Sequence, residues 1–170
     1  MDSFQADAPM EIPGNTSNVS LSNLSALIDG NHFVGWTADF DRDNTCSQNT
    51  WLRITMNPNV GSAIVYTRKI RLYYRPSNLT GLIGAEIRVG NISGHAVIGN
   101  DTVISLSDMK QNLVCATVPS SPTSISIAED LAYFELACAA SGQFLFVMQP
   151  NPKCMEFLEL EVVGRRHGCT

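Results

Sequence analysis

The sequence predicts an all-β fold, an antiparallel β-sandwich. Three observations point there. Apolar residues alternate with a period of two in short runs, clusters of turn residues separate those runs, and no segment holds a 3.6-residue apolar period over three turns. Short strands in that arrangement bury one face each by stacking two sheets. A length of 170 residues suits one domain with one core.

Along the chain, residues 1–17 hold Asp, Pro, Gly, Asn and Ser without periodicity and read as a flexible segment. The domain is expected over 18–164. Between Asn18 and Cys46 apolar residues are sparse, I-D-G-N at 28–31 is a turn signal and F-D-R-D-N at 40–44 an acidic loop. The strands are clearer. In W-L-R-I-T-M, Leu52, Ile54 and Met56 share a face opposite Arg53 and Thr55. In T-R-K-I-R-L-Y-Y-R, Ile70, Leu72 and Tyr74 point one way, while Lys69, Arg71, Tyr73 and Arg75 point the other. A polar loop then leads to A-E-I-R-V, starting at Ala85. S-L-S-D-M-K-Q-N is the one helix candidate near the middle, short and weak. D-L-A-Y-F-E-L-A-C puts Ala132, Phe134, Leu136 and Cys138 together. G-Q-F-L-F-V-M-Q is apolar on both faces, as a central strand is. F-L-E-L-E-V-V sends Leu158, Leu160 and Val162 inward and Glu159 and Glu161 outward. Residues 165–170 read as a linker or the start of a further module.

Composition narrows the function. Charged residues are 16% and the net charge is −5, which argues against a nucleic-acid partner. No apolar run approaches the ~20 residues of a membrane helix, so no membrane insertion is expected of this segment. The first residues carry acids and no apolar stretch, so they are not a secretory signal. An extracellular location then requires that a signal has been removed or that this is a piece of a longer protein.

Two features do point outside the cell. Six N-x-Ser/Thr sequons occur, at Asn15, Asn18, Asn23, Asn78, Asn91 and Asn100, where chance in this composition gives about two. Five cysteines, Cys46, Cys115, Cys138, Cys154 and Cys169, form no C-x-x-C pair. That disfavours zinc and suits two disulfides with one cysteine spare, Cys169.

The ordered series N-V-S-L, A-L-I-D-G-N, C-S-Q-N-T-W-L-R-I-T-M, I-R-L-Y-Y-R, I-G-A-E-I-R-V-G-N, L-V-C-A, F-E-L-A-C, F-L-F-V-M and L-E-L-E-V resembles the F-type lectins, or fucolectins, from about Asn18 to Val163. No single piece is specific; their order is. The resemblance implies a jelly-roll sandwich of the discoidin or galactose-binding-like type. It also implies a fucose site in loops at one end, where a histidine and two arginines donate to the sugar.

The carry-over to that site is partial. Arg75 matches the first arginine. Ser77 stands in place of the motif aspartate, Leu82 or a neighbour in place of the second arginine, and Gln48 in place of the histidine after Cys46. Losing charge-assisted bonds at roughly 1.5–3 kcal/mol each removes most affinity for a small sugar. The usual fucose site is therefore expected to be broken, and a glycan on Asn78 would crowd it further.

The resemblance further implies a structural calcium ion, which needs six or more hard oxygens. Asp29 and Glu159 would give carboxylates, Ala26, Asn31 and Leu158 carbonyls, and Thr45 a further oxygen. It implies a Cys115–Cys138 disulfide, worth roughly 3 kcal/mol by loop closure. Cys46 matches the first cysteine of a second bridge, whose usual partner position is Leu158. Cys154 is then the best partner, with Cys46–Cys169 as the alternative.

Other constellations are weaker. The stripe Lys69, Arg71, Tyr73, Arg75 could hold a sulfated or sialylated glycan or an acidic protein, but a solvated sandwich face is the better reading. His32, His95 and His167 are far apart in sequence and read as surface residues. Trp51 reads as structural packing, while Trp36 and Phe33 could be exposed contacts. No G-x-S-x-G, H-E-x-x-H or phosphate-cradling loop is present, so catalysis is not expected. The expectation is an extracellular recognition domain binding a glycan or glycoconjugate on cell surfaces. The alternative is an adhesion or receptor-ectodomain module on the same fold that has lost sugar binding.

Overall fold

Alternation in the strands builds two five-stranded antiparallel sheets. The computed structural model describes residues 3–4, 10–11, 36–37, 50–56, 64–98, 101–126, 128–153 and 155–166. In chain order the strands are β1 (Ser3–Phe4), β2 (Met10–Glu11), β3 (Trp36–Thr37), β4 (Thr50–Thr55), β5 (Val65–Tyr74), β6 (Glu86–Gly90), β7 (His95–Ile98), β8 (Asp101–Ile104), β9 (Leu113–Thr117), β10 (Ser124–Ser126), β11 (Leu131–Gly142), β12 (Phe144–Gln149), β13 (Glu156–Phe157) and β14 (Glu159–Arg166). Among the described residues, two single-turn helices interrupt them, α1 (Leu79–Leu82) and α2 (Leu106–Met109). One sheet has the order β1-β14-β5-β11-β10 and the other β2-β4-β12-β6-β9. The antiparallel sandwich is thus as the alternation predicts.

The inward faces make one core. Leu52, Ile54 and Met56 meet Ile70, Leu72 and Tyr74 from the other sheet, with Ile87, Val89, Phe134, Leu145, Val147, Leu160 and Val162 between them. Tyr74 stacks on Phe134 with centroids 5.0 Å apart. Cys115 on β9 and Cys138 on β11 form a disulfide, Cα atoms 4.8 Å apart, which ties one sheet to the other near their open edges.

β12 is central in its sheet and buried on both sides, as its apolar run requires. Leu145 and Val147 face the main core. Phe146 and Met148 face a second cluster with Trp51, covered by Met109 and Leu106 of α2. The weak helix candidate is therefore real and has a packing role. Ser105 caps it by accepting from the Asp108 N–H at 3.2 Å. Trp51 is structural packing, as expected.

β1 pairs with β14 and β2 with β4, so the segment 1–17 contributes strands to both sheets. β14 runs to Arg166. Pairs this short have no period to read, so the sequence gives no warning of them. His95 and Trp36 fall in strands β7 and β3.

The positive stripe is not a free cationic surface. Lys69 meets Glu135 at 2.7 Å, and Arg71 meets Glu135 at 2.9 Å and Glu161 at 3.2 Å. These are cross-strand pairs on the outer face, Glu135 and Glu161 standing directly opposite Arg71 on either side. Hydrogen bonds from Lys69 and Arg71 hold the Glu135 carboxyl below its usual range. Tyr73 lies in the same face with its ring 5.4 Å from that of Tyr133. Burial, with Glu161 nearby, pushes its phenol up.

Candidate functional site

Arg75 is the first residue beyond β5, and the chain turns immediately after it. Pro76 opens a 3-10 turn, Pro76–Asn78, because its fixed φ suits a first helical position. α1 continues that turn. Gly84, at φ +85°, ends it, a conformation that costs a side chain but not a glycine. Gly84 N–H then donates to Val118 O at 3.0 Å, which brings the chain back into β6.

Two side chains lock this loop from below. Gln149 closes β12 on the core-facing register and is fully buried. Its amide donates to Gly81 O at 2.8 Å and Ile83 O at 3.2 Å, and its oxygen accepts from Asn151. Lys153 Nζ adds a second donor to Ile83 O at 3.1 Å. The loop is therefore a fixed platform whose backbone acceptors are satisfied from inside.

Arg75 faces outward with 45% of its side chain accessible, and Asp130 with 60%. Arg75 Nη1 donates to Asp130 Oδ2 at 3.2 Å. The topology explains the meeting: Ala132 pairs with Tyr74, so the turn entering β11 stands across from the residue leaving β5. Asp130 has φ +49°, a left-handed turn position that Asp tolerates better than most residues. Arg75 thus has a carboxylate partner that comes from another loop, not from Ser77. Sequence reasoning missed it because the two residues are 55 apart; the only signal was the A-E-D turn before a clear strand.

The remaining site residues divide. Ser77 is exposed beside Arg75. Asn78 lies in the 3-10 turn. Leu82 is a correction: it is fully buried in the main core and cannot touch a ligand. Its apolar side chain turns inward where an arginine would have to reach out. Glu159 is a second correction. Alternation puts it on the outer face with Glu161, yet it has no accessible surface. Leu158, also buried, donates its N–H to Tyr73 O at 2.7 Å. A buried carboxylate is held by charge or hydrogen-bond donors around it, which excludes the solvated reading of Glu159. Gln48, Ala26, Asp29, Asn31, Thr45, Cys46, Cys154, Cys169, His32, His167, Phe33, Asn15, Asn18, Asn23 and Asn100 lie outside the described residues. Among the described residues, no helix is long and apolar enough to cross a membrane.

No protein-family model matches the sequence, and no curated protein matches it. Solved structures do match. An F-lectin (fucolectin) from striped bass (Morone saxatilis) serum aligns with a TM-score of 0.60 at 19% identity, over 95% of this chain and 46% of that one. The chain thus spans just under half of the striped bass protein. CBM62 from Clostridium thermocellum aligns at 0.62 and 14% identity, over 96% and 98% of the two chains. A fucose binding module from Streptococcus pneumoniae aligns at 0.55 and 13%, over 96% and 98%. At these identities the likeness is one of fold. The chain has the all-β sandwich fold that the fucolectin and the carbohydrate-binding modules share, in keeping with the resemblance seen in its sequence.

Proposed function

We propose that this chain is an extracellular recognition domain that binds a neutral glycan at the loop end carrying Arg75 and Asp130. The supporting observation is the exposed guanidinium–carboxylate pair standing on a platform fixed by Gln149. A sugar hydroxyl both donates and accepts. Arg75 offers donors in a rigid fork and Asp130 offers acceptors, so neighbouring hydroxyls can be bound in one orientation. The pair is neutral, Glu129 beside it is exposed, and Lys69 and Arg71 are already paired. An anionic glycan would find no uncompensated positive charge among these groups. The fold's relatives by structure, which include a fucose binding module, support the carbohydrate reading. The Cys115–Cys138 disulfide supports an oxidising compartment.

A glycan array decides this reading. Binding to neutral glycans, lost in Arg75→Ala and weakened at least tenfold in Asp130→Asn, is the expected result. Silence across the array together with binding to a cell-surface protein would establish the adhesion module instead. The proposal includes a structural calcium ion, with Glu159 and the Leu158 carbonyl as two of its oxygen donors. Calcium is expected to raise the melting temperature of the purified protein; no change on adding EDTA removes the ion from the account.

A further inference from the structure

We propose that Asn91 carries an N-linked glycan, held at the pole of the sandwich opposite Arg75. The inference extends the extracellular reading, since the modification needs the secretory pathway. The sequon is Asn91-Ile92-Ser93. Asn91 is exposed, on the bend that ends β6. Its Oδ1 accepts the Gln143 N–H at 3.1 Å. The same N–H donates to Gly90 O at 3.0 Å, so this is one arm of a shared bond; only the oxygen of the amide can take that arm, which leaves Nδ2 on the other side of the amide carbon.

The next residues are held firmly. Asn112 Nδ2 donates to Ile92 O at 2.8 Å, its Oδ1 accepts the Ile92 N–H at 3.1 Å, and Arg53 donates to Ser93 O at 2.7 Å. A glycan on this turn would be presented in one direction. Ile92, the next residue, is 38% exposed, and the first sugar ring can cover part of it.

The chemistry is a transfer without redox change. The donor is an oligosaccharide linked to a lipid pyrophosphate. The Nδ2–C1 bond forms as the C1–O bond to the pyrophosphate breaks, Nδ2 gives up one proton, and the lipid pyrophosphate leaves. Oδ1 is untouched, so its bond to Gln143 survives the modification.

The pole follows from register. Gly90 pairs with Phe144, and Gly142 with Val65 at the start of β5. Arg75 follows the last residue of that ten-residue strand, roughly 30 Å away at strand rise. A glycan on Asn91 therefore leaves the Arg75 end open.

The test is to send the full chain through the secretory pathway of a eukaryotic host with an added cleavable leader. The native protein is then treated with peptide-N-glycosidase in ¹⁸O water and mapped by tandem mass spectrometry, which separates Asn91 from Asn100. Heavy aspartate at position 91 is expected, released without denaturant. The loss of one glycan's mass is expected in Asn91→Gln and Ser93→Ala, with the glycan kept in Ser93→Thr. A secreted chain unmodified at Asn91, or one cleaved there only after denaturation, overturns the proposal. Because the leader supplies the compartment, that failure is separate from failure of the extracellular reading, which would appear as native protein confined to a reducing compartment.

Discussion

Replacing Gln149 with leucine should loosen the Arg75 platform by a limited and calculable amount. The side chain is fully buried and makes four hydrogen bonds, to Gly81 O, Ile83 O and the two nitrogens of Asn151. Adding four bonds would overstate the loss. Ile83 O keeps Lys153 as a donor, and Asn151 is exposed, so its donors return to water. Gly81 O is the group that loses its donor. One part-buried acceptor left without a partner costs at most about 1–3 kcal/mol, and leucine restores some apolar contact. The expected destabilisation is therefore ~1–2 kcal/mol, a fall in Tm of about 2–8 °C for a chain of this size. Urea unfolding under oxidising conditions measures it, and hydrogen exchange should show faster opening at residues 79–84 than elsewhere. An unchanged midpoint with unchanged exchange at that loop would refute the platform. So would a loss above about 4 kcal/mol, which would make Gln149 a centre of the whole core.

Two further outcomes follow from the outer face and the sulfur bridge. Glu135 has its carboxyl held low by Lys69 and Arg71. Its contribution to stability is therefore complete above the ordinary carboxylate range and is lost as pH falls through the lowered value; Glu135→Gln should flatten the acid limb of a stability–pH curve, and an unaltered limb contradicts the pairing. The Cys115–Cys138 bridge closes a loop of sequence separation 23, so the double alanine variant should lose about 3 kcal/mol in the chain-entropy treatment, read as a shift in urea midpoint; a shift under about 1 kcal/mol would place its role elsewhere.

The sandwich was legible because burial on one face leaves a period-two trace. Ile70, Leu72 and Tyr74 show it, and β12 shows the doubly buried version through Leu145 and Phe146 facing different clusters. What was illegible has physical reasons. The strand period says which side of a sheet a residue takes, not whether something covers that side. Glu159 therefore reads as solvated although it is buried. Leu82 aligned with a ligand position, but an apolar side chain in a short helical turn seeks the core. Asp130 meets Arg75 only through the pairing of β5 with β11, a long-range fact that no local pattern carries. Gln149 did leave a trace: it is a polar residue in the inward register of an otherwise apolar strand, and such a residue must find partners.

The most direct measurement follows the Arg75 and Asp130 side chains by NMR while neutral oligosaccharides that bind the protein are added. Saturable shifts centred on those two groups, with Lys69 and Arg71 unmoved, are what the account requires. Shifts centred on the Lys69–Arg71 face, or none at Arg75 while binding proceeds, would contradict it.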